Sequence, residues 1–454
     1  KSLTADSLIV SPGNTVVLDG TVTVNDYLQI SGTCTEVSNL RGTGTLSSAT
    51  GNILVNYTNI ENVTATGGAN FLANDSYDLG GNSGWTINST SAKDYYWVGD
   101  GGNWEDGSHW ALTSGGVGSG CVPTFQDNVY FDVNSFSATG QTVSISSGVA
   151  DCKSMDWSGV TNSPEFDIDN ELNVYGSLTF SPNMTVSSND NYDLNFKSTQ
   201  TGNTITFSEN EWTGDIFFNG ISGEWDLQDS LSLNNRWREL TVDEGVLNTN
   251  GNSIRTGTFK VRNSAVVNMS SSSLYVRRTI DITSSNYNTE LSTIRTSGSY
   301  INSINSISKI RLLLLESSSN CLVKGSGLYE RIDVIGTGNK ELKSLTADSL
   351  IVSPGNTVVL DGTVTVNDYV ELSGTPSSPT YLSGVGSSDS LLVASGNLCF
   401  EYLRVSNVNA GGGATFSAGQ GSVDNGGNSG WNFNVITPCS QFQKTYVPDD
   451  NFEA

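Results

Sequence analysis

The sequence predicts an all-β chain made of parallel β-solenoid modules in tandem, forming an elongated rod. Three observations lead there: a verbatim internal repeat, short β-branched runs at a regular spacing, and a composition that does not support helices. The repeat comes first, because a period in the sequence dictates the architecture. Lys1 to Tyr27, KSLTADSLIVSPGNTVVLDGTVTVNDY, returns letter for letter at Lys343 to Tyr369. Beyond it the copies diverge but keep their frame, GNILVNYTNIENV from Gly51 being answered by GNLCFEYLRVSNV from Gly396. Both close alike, with DLGGNSGWTIN from Asp78 and DNGGNSGWNFN from Asp424. This divides the chain into a first copy of one module at 1–90, a second module type at 91–342, the second copy at 343–436, and a linker opening a further module at 437–454. The pattern is that of a piece of a longer tandem array.

Within a module, strands recur about every ten residues. Leu8-Ile9-Val10 is followed by the turn Pro12-Gly13-Asn14, then Thr15-Val16-Val17-Leu18, Asp19-Gly20, and Val22 with Val24 on one face. The middle module continues the rhythm through Leu172 to Phe180, Gly214 to Phe218, Gly245 to Gly251 and Thr258 to Arg262. No stretch sustains apolar residues at three- and four-residue spacing, so no helix competes. Two architectures fit. An antiparallel sandwich would use Asp19-Gly20 and Asn250-Gly251 as two-residue hairpin turns. A parallel solenoid would stack short strands, with Val, Ile and Leu inside and Asn, Ser and Thr ladders at its corners. Abundant Asn, Ser, Thr and Gly with only 9 prolines favours the solenoid. At about 22 residues per coil and about 4.8 Å per step, the chain would form a rod on the order of 100 Å long.

Composition narrows the function classes. With 21 basic and 46 acidic residues and a net charge of −25, the chain is repelled by phosphate backbones and anionic membrane surfaces, so nucleic acid is not an expected partner. No apolar run approaches the roughly 18 residues of a membrane span, and a single histidine argues against His-based metal or triad chemistry.

Several motifs carry a resemblance. Tyr95-Tyr96-Trp97-Val98-Gly99-Asp100-Gly101-Gly102-Asn103-Trp104, then Ser108-His109-Trp110, Cys121-Val122-Pro123-Thr124, Asp127 to Asp132 and Cys152 to Trp157, resembles a module of very large secreted surface proteins of Bacteroidota. The closing Gly-Gly-Asn-Ser-Gly-Trp at Gly80–Trp85 and Gly426–Trp431 resembles the end of a right-handed β-helix domain in such proteins, and Thr445 to Phe452 resembles the start of another of their modules. The family implied is the giant repetitive adhesins exported by the type IX secretion system, including the mobile adhesins of gliding motility. The resemblance implies an extracellular, cell-surface location and a non-enzymatic role as the stalk and adhesive region of a surface filament. Its partners would be polysaccharide or abiotic surfaces, and the secretion and motility machinery reached through other parts of the protein. Of the six cysteines, Cys121 with Cys152 is the expected disulfide, because both lie in that module and closing a loop of about 30 residues stabilises by about 3 kcal/mol. Six cysteines allow fifteen complete pairings; Cys34, Cys321 and Cys399 can equally be small buried apolar residues, and the pairing of these three and of Cys439 stays open.

The remaining candidates each have a structural reading beside the functional one. Trp97, Trp104 and Trp110, around Asn103 and His109, are a candidate sugar-stacking surface or a cap over the solenoid core. Asp167, Asp169 and Glu171 alternate, and Asp190 and Asp193 share a polar turn. Such oxygen-rich loops make Ca2+ the one candidate metal, and no organic cofactor is expected. Arg236, Arg238, Arg255, Lys260, Arg262, Arg277 and Arg278 hold about a third of the positive charge. Lys260 and Arg262 share a strand face, which is either a solvated or inter-strand-paired face or the candidate contact for an anionic polysaccharide; the alternatives to the stalk are a β-helix polysaccharide lyase or hydrolase with its basic groups here, or a carbohydrate-binding module acting through the tryptophans. Asp-Ser-Leu recurs at Ser7, Ser230, Ser349 and Ser390. It is similar to the O-glycosylation acceptor of Bacteroidota and equally to ordinary turn-into-strand chemistry.

Overall fold

A computed structural model of the chain describes residues 2–89, 91–188, 192–233, 235–283, 287–288, 292–303, 310–325, 327–434 and 439. Strands make up 54% of it, wound as parallel β-solenoid coils, about 20 in all. Among the described residues there is no α-helix, and one 3-10 turn spans Gly107–His109. The chain packs as two compact units, 1–170 and 171–454.

The first unit holds two stacks. In the first copy of the repeat each coil visits up to three sheets. The strand at Leu3–Ile9 pairs in parallel with Thr21–Gln29, and that one with Thr45–Ser48. Thr15–Leu18 pairs with Ser38–Gly42, and Asn52–Asn56 with Asn70–Asn74. Alternation turns Val22, Val24, Leu40, Leu46, Val55 and Ile60 into one core. Outside, amides stack on amides, Asn59 donating to Asn39, Asn70 to Asn52 and Asn88 to Asn74. The second stack opens at Asp94–Trp97, which pairs antiparallel with Trp110–Ala111 and parallel with Asn128–Tyr130. Gly102–Asn103, Thr142–Ile145 and Glu165–Ile168 follow as a parallel series.

In the second unit the register is continuous over many coils. Leu172, Leu194, Ile216, Leu240, Phe259, Ile280 and Ile301 stand one behind another in a single buried column. Asn250 and Gly251, both at positive φ, form a corner between Glu239–Asn248 and Ile254–Val261, which pair in parallel. The hairpin alternative is therefore excluded at that turn.

The closing Gly-Gly-Asn-Ser-Gly-Trp motif is a hydrogen-bonding device, the same in both copies. The Asn82 side chain accepts from Val63 N and donates to Ile60 O and Asp78 Oδ1, and Asn428 does so with Val408 N, Val405 O and Asp424 Oδ1. Gly84 and Gly430, at φ +76° and +78°, lie so close to the carbonyls of Ala65 and Ala410 that a Cβ would stand 2.1 and 2.0 Å from them. Trp85 and Trp431 then pack on Phe71 and Phe416.

The verbatim repeat folds identically but is covered differently. In the second copy, Leu328–Val334 and Asn339–Lys343 stack in register on Thr346–Val352 and Thr357–Asp361. Leu345 is consequently 3% exposed, whereas its counterpart Leu3, with no coil before it among the described residues, is 52% exposed. Leu8, Val10 and Val16 are half-buried where Leu350, Val352 and Val358 are buried. Each side chain completing its burial gains up to about 1.5–3 kcal/mol, so fusing residues 310–342 ahead of residue 1 should raise the thermal midpoint of the first copy. Calorimetry of the fusion against the parent checks this, and an unchanged midpoint would contradict the stacking argument.

Candidate functional site

The aromatic opening segment is a plug. Trp97, Trp104 and Trp110 are all buried, and their rings are taken by one another: Trp104 and Trp97 meet Trp110 edge-on at 4.6 and 4.9 Å. His109 stacks flat on Trp97 at 4.7 Å, and its Nδ1 lies 2.8 Å from Val98 O. Deeper in, Phe131 stacks on Trp157 at 3.5 Å. A sugar ring has no free face to lie on, so the expected sugar-stacking role of the three tryptophans is corrected: antiparallel pairing of Asp94–Trp97 with Trp110–Ala111 sets Trp97 against Trp110, and Trp110 Nε1 donates to Trp104 O beneath the third ring.

The cysteine expectation is corrected as well. Cys121 pairs with Cys34, and Cys399 with Cys439, while Cys152 and Cys321 are buried thiols. Cys152 follows Ala150 and Asp151 in a strand whose alternation points it into the core, out of reach of Cys121 on its outer loop. Burial pushes the Cys152 thiol well up and the Cys321 thiol up to about 11. The Cys34–Cys121 bond clamps the two stacks of the first unit. Beside it, Tyr77 and Thr124 share a hydroxyl hydrogen bond of 2.7 Å, Tyr77 packs on Phe125 at 4.5 Å, and buried Asp127 accepts from Lys93 N, Thr124 N and Thr124 Oγ1. A cleft of about 770 Å³ lies along this junction, with Glu36, Glu105, Asp106 and Asp151 among its lining residues. Glu105 accepts from Ser147 N at 2.7 Å, and Ser108 holds Asp106 below its ordinary pKa by side-chain and backbone hydrogen bonds. Such walls disfavour a polyanion.

The basic stretch divides. Lys260 is ion-paired with Glu239, and Arg262 faces Asp243 at 3.9 Å, so neither is the free contact expected of them. Glu239 belongs to a ladder imposed by the register. Glu171, Asp193, Asp215 and Glu239 each lie at the residue before, or at, the paired positions Leu172, Leu194, Ile216 and Leu240. Lys197 pairs with Glu171 at 3.3 Å, and Arg238 approaches Asp215 at 3.9 Å. Burial, then the charges of Asp215 and Glu171, push Asp193 up from 3.8 to about 6, and burial also raises Asp215. The proposed calcium loop is not one strand face, since the strand carrying Asp167 ends at Ile168, and Asp190 lies outside the described residues. Among the described residues no group of three His, Cys, Asp or Glu side chains is arranged to hold a metal ion.

The four Asp-Ser-Leu sites share a role for the Asp. Asp6 and Asp348 accept from Asn25 and Asn367, Asp229 from Phe207 N and Ser208 N, and Asp389 from Gly362 N and Gly386 N. Ser7 and Ser230 are exposed and Ser390 half-buried. Ser349 is buried, because Arg331 of the preceding coil stands opposite it, so it does not present a hydroxyl on the outer face as expected.

What the sequence reading passed over is Trp237. It is the one exposed ring among the nine tryptophans, 60% open, with the guanidinium of Arg278 at 4.2 Å and that of Arg236 at 5.2 Å from its centroid. The signal was present as an Arg-Trp-Arg triplet in an acidic chain.

No family model, no curated protein and no solved structure matches this chain. No helix among the described residues is long and apolar enough to cross a membrane. The two disulfides are those of a chain that folds in a non-reducing environment.

Two outcomes are expected. Non-reducing peptide mapping should recover Cys34–Cys121 and Cys399–Cys439, with Cys152 and Cys321 alkylated only after unfolding; a Cys121–Cys152 peptide would refute the clamp. Asp193→Asn should stabilise the chain at pH 7. With its folded pKa raised, the native state binds the proton more tightly than the unfolded state, so stability falls as pH rises from about 4 through about 6 and stays lower above. Thermal melts should show the gain at pH 7 and its disappearance below about pH 4.

Proposed function

We propose that the chain is a non-catalytic structural and adhesive region of a large secreted bacterial surface protein, in which β-helix modules extend a filament and present contact surfaces to polysaccharide. The observation that carries this reading is the doubled segment: its second copy pairs with the coils before it without a register shift, so the repeat works as a unit of extension. The resemblance of the Tyr95–Trp110 stretch and the closing motifs to giant adhesins supports the same reading, as do disulfides suited to an oxidising exterior. Export by a type IX system, movement of the filament in gliding and glycosylation of Ser7 and Ser230 belong to the same proposal.

A polysaccharide lyase or hydrolase is the second reading, and one observation favours it. The ladder sets Asp193, raised to about 6 chiefly by burial, near Asp215, which burial also raises and Arg238 approaches at 3.9 Å, and a carboxyl that holds its proton towards neutrality can serve as a general acid. Beads coated with the purified chain should adhere to films of acidic polysaccharide without releasing reducing ends or unsaturated products. Depolymerisation that is lost in Asp193→Asn and Asp215→Asn would replace the first reading with the second.

A further inference from the structure

We propose that Arg236, Trp237, Arg255 and Arg278, with Arg277 behind them, form a binding site for an acidic pyranose chain, carrying either carboxylate or sulfate ester groups. This rests on the adhesive reading above and gives it a ligand class and an address.

The site is made by the coil corner. Arg236 and Trp237 protrude just before the strand Glu239–Asn248. In the next coil the corner residue is Gly257, where a Cβ would stand 2.0 Å from the carbonyl oxygen of Arg236 and 2.7 Å from that of Arg238. No side chain therefore stands between Trp237 and the coil after that, and Arg278, at the irregularity between Val276 and Thr279, reaches the indole. One coil face away, Arg255 lies against the Tyr275 ring at 5.7 Å, in register with it. The corner thus offers an exposed ring flanked by guanidinium groups.

Electrostatically the corner is unbalanced. Among the described residues no ion pair involves Arg236, Arg255 or Arg278, whereas Arg238, Lys260, Arg262 and Arg295 all face carboxylates. Arg277 donates to Leu233 O, and its cationic form is disfavoured by burial and then by the charge of Arg255, with Glu211 the nearby carboxylate acting the other way and Arg236 adding to the repulsion. An anion placed here relieves that repulsion, and the planar fork of arginine matches carboxylate and sulfate oxygens. An indole that remains 60% exposed beside these guanidinium groups adds apolar contact with the C–H face of a pyranose. The acidity of the chain as a whole does not cancel this, because at physiological salt charges beyond about 8 Å are screened. It does select against the denser charge of a nucleic acid duplex, about one phosphate per 1.7 Å, which would be forced along neighbouring acidic coils.

The test uses the full chain with polygalacturonate, dextran sulfate, neutral dextran and duplex DNA. Trp237 is the exposed tryptophan, so quenching by acrylamide reports it directly. Polygalacturonate, dextran sulfate or both should shield it, and the arm that succeeds identifies the carboxylate or the sulfate ester as the source. Trp237→Ala should remove the most readily quenched fraction and with it the polyanion-dependent shielding, and by affinity electrophoresis both this variant and Arg236→Ser with Arg278→Ser should weaken retention about ten-fold or more. Arg278→Lys, which keeps the charge and loses the fork, should fall between; Lys260→Ala should leave retention within about two-fold, its cation being already paired. Matching far-ultraviolet dichroism shows that each variant is folded. No shielding by either polyanion, equal binding of neutral dextran, tighter binding of DNA, or retention indifferent to the Trp237 and arginine changes would each overturn the site. Polysaccharide that is bound through these residues and also cleaved would refute the non-catalytic reading while upholding the site.

Discussion

Parallel backbone pairing from coil to coil is the constraint on which the rest of this structure depends. Each residue stands about 4.8 Å from its counterparts in the coils before and after, so a side chain must tolerate its own kind as a neighbour. Apolar residues do so by forming columns such as the one from Leu172 to Ile301. Amides do so by passing a hydrogen bond along the stack, as Asn268 does to Asn248 at 2.7 Å. Carboxylates do so badly. Their ladder persists because Lys197, Arg238 and Lys260 are interleaved beside it, and Asp193 is raised first by burial and then by the charges of Asp215 and Glu171.

The fold was legible because the same constraint writes itself into the sequence. Alternation within short runs, amide-rich corners and a repeat returning in frame are all consequences of stacking. The corner at Asn250-Gly251 was ambiguous because the αL geometry that closes a hairpin also turns a solenoid corner. The site was less legible, and for a different reason. That Trp97 and Trp110 close on each other depends on a local antiparallel pairing that residue types do not announce, and Lys260 and Arg262 lost their candidacy to acidic partners contributed by a neighbouring coil. Trp237 lies in an irregular corner, where the two-residue period that guides such reasoning has lapsed.

Cysteine placement follows a different logic from the strands. The two copies agree letter for letter over their first 27 residues and differ beyond them, their cysteines included: Cys34 is answered by Pro376, and Leu54 by Cys399. Both disulfides leave the regular stack, one joining the first copy to the loop after the tryptophan plug and the other tying Cys399 to Cys439. A difference between near-identical copies thus marks what each copy does at its margins, where coil stacking alone does not hold the chain. In the chain-entropy model a closed loop spanning the separation of 87 residues contributes about 4–5 kcal/mol, comparable to the whole stability of many small domains.

The doubled segment has a consequence for how such a chain changes over generations. Its first and third strands pair with each other in the same register in both places, down to the irregularity between Ala5 and Ser7 that recurs between Ala347 and Ser349. A duplication or deletion bounded by this segment inserts or removes whole coils, so the hydrogen-bonding register on either side is kept and no new interface has to be invented. Length becomes a trait that recombination can adjust in integral steps, while everything that depends on register stays as it was.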